Sequence, residues 1–231
     1  MKRIRKGISP QWFEMWKAGF ELQNGRKARY KGDFSTDDSL GIQRRKDLRQ
    51  QLVIEQGGIC CYCMGRIDNT SAHIEHFWPK GIRQYQHLDL DYNNLFASCE
   101  GMRLFDENAN MLLKTDEFCG HKKENWFDEN MIMPTDYKVE ELFTYLDNGE
   151  IREKSGSEAY IASSMLKNLG LDSFYLNRNR SEAIDEMYKE LDFIDIDDKE
   201  VISDMVDYYD NMIEGKYVPY CGALVDCLKR L

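Results

Sequence analysis

The sequence has no run approaching the roughly eighteen apolar residues a membrane-spanning helix needs, so an α-helical membrane protein is excluded as its expected class. Its basic opening, MKRIRKGISPQW, lacks the apolar stretch of a secretion signal, and the cytoplasm is the expected compartment. There is no internal repeat and no low-complexity tract, which sets aside solenoids and biased tails. Disorder is a poor default for 231 residues that are 42% hydrophobic, enough for one sizeable core or a small core with an appended domain. Net positive charge is missing too. The balance is −10, at first sight a poor match to nucleic acid, because non-specific affinity comes largely from neutralising phosphates.

The distribution of that charge changes the reading. Residues 1–50 carry thirteen Lys and Arg against six Asp and Glu, whereas residues 126–231 carry eleven against twenty-four. The basic groups Lys2, Arg3, Arg5, Lys6, then Arg26, Lys27, Arg29, Lys31, then Arg44, Arg45, Lys46 and Arg49 are interleaved with Trp12, Phe13, Trp16 and Tyr30. They read either as a surface for a phosphate backbone or as solvated helix faces. The acidic C-terminal third is better suited to a protein partner.

Ser9-Pro10 predicts a helix over about 10–23, with Ser as cap and Pro in the first turn, ending near Gly25. A loop over 26–38 follows, then a helix from Ser39 to Gln56 stopped by Gly57-Gly58. Residues 59–80 read as a turn at Cys60–Cys63 and a short strand at His73–Phe77 ended by Pro79, with a helix expected over 91–105 and an insertion over 106–118. Val139 to Ile151, centred on Asp147-Asn148-Gly149, predicts a β-hairpin. Helices are expected at 157–169, at 173–194 with Asp172 as cap, at 198–213 and from Pro219. Their seam is Ile161, Met165, Leu166, Leu169, Ile184, Met187, Leu191, Val201, Met205 and Tyr208.

Seven cysteines make an odd count, and a reducing compartment favours metal binding over disulfides. The Cys60-Cys61-Tyr62-Cys63 turn can place two thiolates on one metal, and Cys99 and Cys119 lie further on to complete a tetrahedral structural zinc site. Redox proteins share this spacing, but their βαβ context is missing. Four thiolates leave no open position, so such an ion holds the fold and takes no part in chemistry. Cys61 lies inside the turn as a bystander, and Cys221 and Cys227 read as buried residues of the last helix.

The second constellation is His73-Ile-Glu75-His76-Phe-Trp-Pro79 followed by Asp91-Tyr-Asn93-Asn94-Leu95. Phosphodiester hydrolysis needs a base to activate water and a cation to stabilise charge on the phosphate and the leaving oxygen. Histidine suits the first task near neutral pH, glutamate binds the cation, and an asparagine amide can orient the imidazole.

The succession Cys60-x-x-Cys63, Glu75-His76-x-x-Pro79, Asn94-Leu95, Cys99 resembles the HNH nuclease core, a ββα-metal finger. Over most of the chain the segments WFEMWKAG, LRQQLVIEQGGICCYC, HIEHFWPK, LDLDYNNLFASC, CGHKKEN and NLGLDSFYLNRNRSEAI resemble the PtuB-type nuclease subunits of Septu anti-phage systems, some of them retron-associated. The resemblance implies an α+β, mostly helical fold. Its parts would be a basic N-terminal helical region at 1–58, a zinc-stapled HNH core at 59–130, and a hairpin with an acidic helical module at 131–231.

By the same resemblance His76 is the general base, Glu75 a ligand of the catalytic cation, and Asn94 the residue that orients the base. Cys60, Cys63 and Cys99 match the zinc cysteines. Two departures stand out. Met102 occupies the position where the family pattern closes with a cysteine, so Cys119 becomes the candidate fourth thiolate. The third catalytic ligand normally follows that cysteine directly, where this chain has Gly120, with His121 one place later as a ligand or phosphate contact. Neighbours in a regular strand point to opposite faces, so a bulge or strand end must bring Glu75 and His76 together, and His73, sharing a face with Glu75, is the substitute ligand.

The expected activity is therefore a metal-dependent nuclease using Mg²⁺ or Mn²⁺ beside a structural Zn²⁺, with DNA as substrate and no membrane partner. Resemblance to the Septu nuclease implies the ATPase subunit PtuA as partner, and in retron systems the reverse transcriptase and its DNA product. The rival readings are a zinc-stapled binding module without catalysis and an RNA-cutting nuclease using the same site.

Overall fold

The computed structural model describes residues 1–101, 117–191 and 199–231, together with the backbone of two short strands at Leu104–Asp106 and Met111–Leu113. Among the described residues, helices combine with three two-stranded antiparallel sheets. Two helices come first, α1 (Gln11–Asn24) and α2 (Ser39–Glu55). Asp38 caps α2 by accepting from the Gly41 amide. Ser9 does not cap α1; its hydroxyl donates to Glu14 at 2.6 Å. After α2 the chain reverses through Gly57 and Gly58, both left-handed at φ 62° and 69°, a conformation that only glycine adopts without strain. That reversal delivers the cysteine turn to the sheet.

The first sheet pairs β1 (Ala72–His76) with β2 (Leu95–Cys99) in unbroken register from Ala72↔Cys99 to His76↔Leu95. The connection between them carries two 3₁₀ turns, Arg83–Leu88 and Tyr92–Asn94. A helix expected over 91–105 is thus a 3₁₀ turn followed by a strand. Leu95, Phe96 and Ala97 are all fully buried, and a short apolar run buried on both faces has no period to distinguish strand from helix. Gln56 closes one edge of β2, its amide accepting from the Ala97 N–H at 2.7 Å and donating to the Ala97 carbonyl at 2.8 Å.

The strands β3 (Leu104–Asp106) and β4 (Met111–Leu113) pair across the start of the expected insertion, with Leu104 and Phe105 in the stretch expected to be helical; the rest of the insertion lies outside the described residues apart from Glu117 and Phe118. The short helix α3 (Cys119–Lys123) follows. The expected hairpin is present as β5 (Phe143–Tyr145) and β6 (Ile151–Glu153). Helices α4 (Ala159–Leu169), α5 (Phe174–Leu191), α6 (Lys199–Asp210) and α7 (Cys221–Leu228) complete the chain, and the expected helical residues 192–198 lie outside the described ones.

The main apolar cluster draws on all three sequence segments: Phe13, Leu48 and Leu52 from the first, Phe77 and Phe96 from the second, Ile161, Met165 and Leu169 from the third. A second cluster joins α5, α6 and α7 through Ile184, Met187, Leu191, Tyr209 and Leu224. Tyr209, not Tyr208, is the buried member of its pair; Tyr208 is 53% exposed. Buried Arg180 ties the hairpin to α5 by donating to the carbonyls of Gly149 and Leu171. Among the described residues no helix is long and apolar enough to cross a membrane.

Candidate metal centre and catalytic strand

The structure brings together the four cysteines singled out above. The sulfurs of Cys60, Cys63, Cys99 and Cys119 all lie within 4.8 Å of one another, and none is in a disulfide. Cys63 and Cys99 sulfurs are 3.8 Å apart, and a tetrahedron of sulfurs at 2.3 Å from an ion has edges of about 3.8 Å. Backbone amides support the sulfurs: Cys99 N–H donates to Cys60 and Gly65 N–H to Cys63. Burial pushes the Cys60 thiol up, but sulfhydryl donors led by Cys119 outweigh it and hold Cys60 well below the ordinary thiol range. Burial likewise drives Cys119 well above that range. Four sulfurs this close are a donor set that a thiophilic cation such as Zn²⁺ could complete. Cys61, Cys221 and Cys227 are buried outside the cluster, as expected.

One face of β1 carries His73 and Glu75. Glu75 is buried, and its Oε1 receives Lys123 Nζ at 2.9 Å and the Tyr62 hydroxyl at 3.1 Å. Its Oε2 lies 3.6 Å from His73 Nε2. Burial raises the Glu75 carboxyl, but Lys123 and His73 outweigh it and hold it below the ordinary carboxylate value. His73, Glu100 and His121 form a second group whose ligand atoms lie within 4.8 Å of one another. His121 Nε2 contacts Glu100 Oε2 at 2.7 Å, and His73 Nδ1, 3.9 Å from Glu100 Oε1, is buried with no hydrogen-bond partner.

His76 projects from the other side of the strand. No bulge intervenes; β1 ends at His76 with its register intact, so Glu75 and His76 diverge. The His76 ring, 3% exposed, packs edge-on against Tyr30, and its Nε2 lies 3.0 Å from the Asp89 carbonyl. A carbonyl only accepts, so the ring proton is on Nε2 and the Nδ1 lone pair receives Lys80 Nζ at 3.2 Å. Burial, followed by the Lys80 charge, lowers its pKa to about 3, which leaves the imidazole neutral at pH 7.

Among the described residues no hydrogen bond joins the side chains of Glu75, His76 and Asn94. Asn94 instead accepts from the Trp78 amide at 2.7 Å and donates to the carbonyls of Trp78 and Leu88, each at 3.0 Å. It therefore reaches His76 only through the loop, by fixing the residue that precedes Asp89. Lys123 is the closest link between the two faces: besides Glu75 it bonds the His76 backbone carbonyl at 3.0 Å.

Sequence reasoning missed Glu100 and Lys123. The signal for Glu100 was its place directly after Cys99, at the end of the strand paired with His73. For Lys123 it was the four-residue spacing from Cys119, which sets both on one helical face. Much of the basic N-terminal third is committed internally. Lys2 pairs with Asp210 and Glu140, Lys6 with Glu55 and the Leu95 carbonyl, Arg29 with Asp89, and Arg44 and Arg45 with the loop at 33–36. Phe13 and Tyr30 are core residues, and Arg5, Lys27, Lys31 and Lys46 remain exposed.

No family model matches the chain. A curated relative does. Over 159 residues, 67% of this chain and 71% of the relative, it is 28% identical to a Vibrio cholerae serotype O1 biovar El Tor protein named "Retron Vc95 putative HNH endonuclease". The likeness to this retron protein supports the HNH resemblance and a nuclease in a defence setting.

Proposed function

We propose that the protein is a metal-dependent HNH endonuclease that hydrolyses phosphodiester bonds, with DNA as substrate, as the effector subunit of an anti-phage complex. One observation carries the reading: β1 presents His73 beside Glu100 and His121, with Glu75 next to His73, and β2, its paired strand, ends in Cys99 of the buried cysteine cluster. In this reading β1, β2 and α3 are the ββα unit, within a nuclease core at 59–130 flanked by a basic region at 1–58 and an acidic module at 131–231. Zn²⁺ on Cys60, Cys63, Cys99 and Cys119 holds that unit together.

A divalent cation, Mg²⁺ or Mn²⁺, at the Glu75 and His121 side would supply charge for the scissile phosphate and the leaving oxygen. The resemblance makes His76 the general base; Nδ1, the nitrogen left unprotonated because Nε2 is held by Asp89, is the atom that would take the water's proton, on the face of β1 opposite His73 and Glu75. For that, Lys80 must leave Nδ1, and a phosphate oxygen is the partner that would draw its ammonium away. Burial is the main cause of the low basicity of His76, and the departure of Lys80 removes the second. Asn94 is a positioning residue that keeps the Asp89 carbonyl in place.

The Septu resemblance and the relative's retron name support a PtuA-type ATPase partner, with the retron reverse transcriptase and its DNA product as further members. The test is incubation of the chain, alone and with its ATPase partner, with plasmid DNA and with RNA in Mg²⁺ or Mn²⁺. His76→Ala should lower cleavage by about 10²–10⁴-fold, with zinc content retained. Undiminished cleavage by that variant would remove His76 from the mechanism, and binding without cleavage under all conditions would leave the zinc-stapled binding module. RNA cleaved in preference to DNA would reassign the substrate.

A further inference from the structure

The family pattern places a catalytic ligand at the residue after the fourth cysteine, and here that residue is Gly120. The reason is steric. A Cβ at position 120 would sit 2.4 Å from His73 Nε2 and 2.7 Å from Glu75 Oε2, closer than real Cβ atoms come. The His73 ring already fills the space that a side chain from α3 would use, so a ligand at 120 and a histidine at 73 exclude one another.

We infer that the cation site of this chain is built from His73, Glu100 and His121, with His73 standing in for the missing ligand at 120, Glu75 acting through His73, and a divalent transition cation, for which Mn²⁺ serves as the paramagnetic probe, as the ion held. The orientation of the His73 ring carries this. Its Nε2 faces Glu75, at 3.6 Å from Oε2. Its Nδ1 lies 3.9 Å from Glu100 Oε1 and is buried without a hydrogen-bond partner, and the centroids of the His73 and His121 rings are 4.6 Å apart. An unsatisfied buried nitrogen is uncommon and calls for a partner such as an ion.

A ligating histidine almost always gives its other N–H to a carboxylate, which sets the tautomer and aims the free lone pair at the metal. Glu75 Oε2, 3.6 Å from His73 Nε2 and just beyond hydrogen-bond reach, is the carboxylate oxygen placed to take that proton. Its other oxygen is held by Lys123 and Tyr62. Glu75 is thereby a positioning residue for His73, one step outside the role the resemblance gives it.

The donor set decides the ion class. Two imidazoles and one carboxylate suit a borderline transition cation, whereas Mg²⁺ favours oxygen ligands and retained waters. The site also stays open on one side: the side chains of His73 and His121 are 24% and 22% exposed, and that of Glu100 is 50% exposed. Open positions distinguish a site that can receive water and phosphate from the closed sulfur cluster beside it.

The use of the ion rests on the nuclease reading above; its binding does not. The test is titration of the full-length, zinc-loaded chain with MnCl₂, followed by calorimetry and by loss of the free Mn²⁺ paramagnetic resonance signal, with MgCl₂ as competitor. One Mn²⁺ per chain beyond zinc is expected, retained against a roughly tenfold excess of Mg²⁺. His73→Gln and His121→Ala should each weaken Mn²⁺ by at least about a hundredfold, and Glu75→Gln by about tenfold as an orienting group.

The exchange variant His73→Ala/Gly120→His should recover Mn²⁺ affinity by at least about tenfold over His73→Ala alone, since the imidazole returns from the helix side. Zinc content and near-ultraviolet circular dichroism verify folding for every variant. Unchanged Mn²⁺ affinity in folded His73→Gln overturns the inference, as does Glu75→Gln abolishing binding that His73→Gln leaves intact. Mn²⁺ bound as expected by a chain that cleaves neither DNA nor RNA leaves this site standing and counts against the nuclease reading.

Discussion

Two side-chain clusters lie against the β1–β2 sheet, and they differ in almost every physical respect. The four cysteines are largely buried, soft and mutually close, so that one thiolate among them disfavours the next. The His73, Glu100 and His121 group is half-open, made of nitrogen and oxygen donors, and backed by the buried Glu75–Lys123 pair. The first arrangement can do nothing but hold chain segments together, because tetrahedral sulfur leaves no room for substrate. The second can exchange ligands. Residues adjacent in sequence serve opposite ends of this contrast: Cys99 and Glu100 are neighbours, and so are Cys119 and Gly120.

The largest expected effect tests whether the sulfur cluster carries the fold. Zinc chelation or Cys63→Ser should abolish cooperative folding, since structural zinc is worth on the order of 10 kcal/mol; a chelated chain with an unchanged melting curve would refute that assignment. Next comes the buried pair behind the open cluster. Lys123→Met leaves Glu75 as a buried carboxylate without its cation, which should cost about 3–5 kcal/mol in denaturant unfolding. A cost near zero would mean that Tyr62 and His73 suffice.

Acid probes the opposite face of β1. The folded chain keeps His76 neutral down to about 3, whereas the unfolded chain takes up that proton near 6.5. Within that window the unfolded state binds more protons, so stability is full above pH 6.5 and falls by a few kcal/mol as pH drops toward 3. Glu75, held low in the fold, adds to the loss only below its unfolded value of 4.5. The discriminating interval is therefore pH 6.5 to 4.5, where a His76→Gln variant should lose much less stability than the parent. Equal acid sensitivity would show that His76 is not the group responsible.

The smallest effect belongs to the open cluster itself. His121→Ala removes a partly exposed contact with Glu100, and such contacts contribute roughly 0–1 kcal/mol. Its melting temperature should barely move while Mn²⁺ affinity collapses. If stability falls as steeply as in the cysteine variants, the contrast between a structural and an exchangeable centre disappears.

The cysteine turn, the glycine stop, the hairpin and most helices were legible because each rests on local chemistry: thiol spacing, left-handed glycine, turn residues and apolar period. The strand at 95–99 was not, since its residues are buried on both faces and leave no alternation to read. Alternation put His73 and Glu75 on one face, but the bulge or early strand end expected to bring His76 to that face is absent, and Glu75 and His76 diverge. Roles that depend on meeting across the fold were invisible. Nothing local marks Lys123 as the cation under Glu75, or Asn94 as a brace for the Trp78 and Leu88 backbone. The basic N-terminal third shows the same limit from the other side, because charge counting cannot see that Lys2, Lys6 and Arg29 already have acidic partners.

The Gln56 amide has a consequence for how the protein meets other copies of itself. A two-stranded ribbon normally offers its outer backbone to any passing extended peptide. Here the Ala97 N–H and carbonyl are both claimed by one glutamine, and the Cys61 amide takes the same carbonyl at 3.1 Å. A foreign strand would find the midpoint of that edge already bonded and, with Ala97 0% and Gln56 1% exposed, covered by the rest of the core, so burial and a side chain that imitates a peptide group together close it to templated pairing.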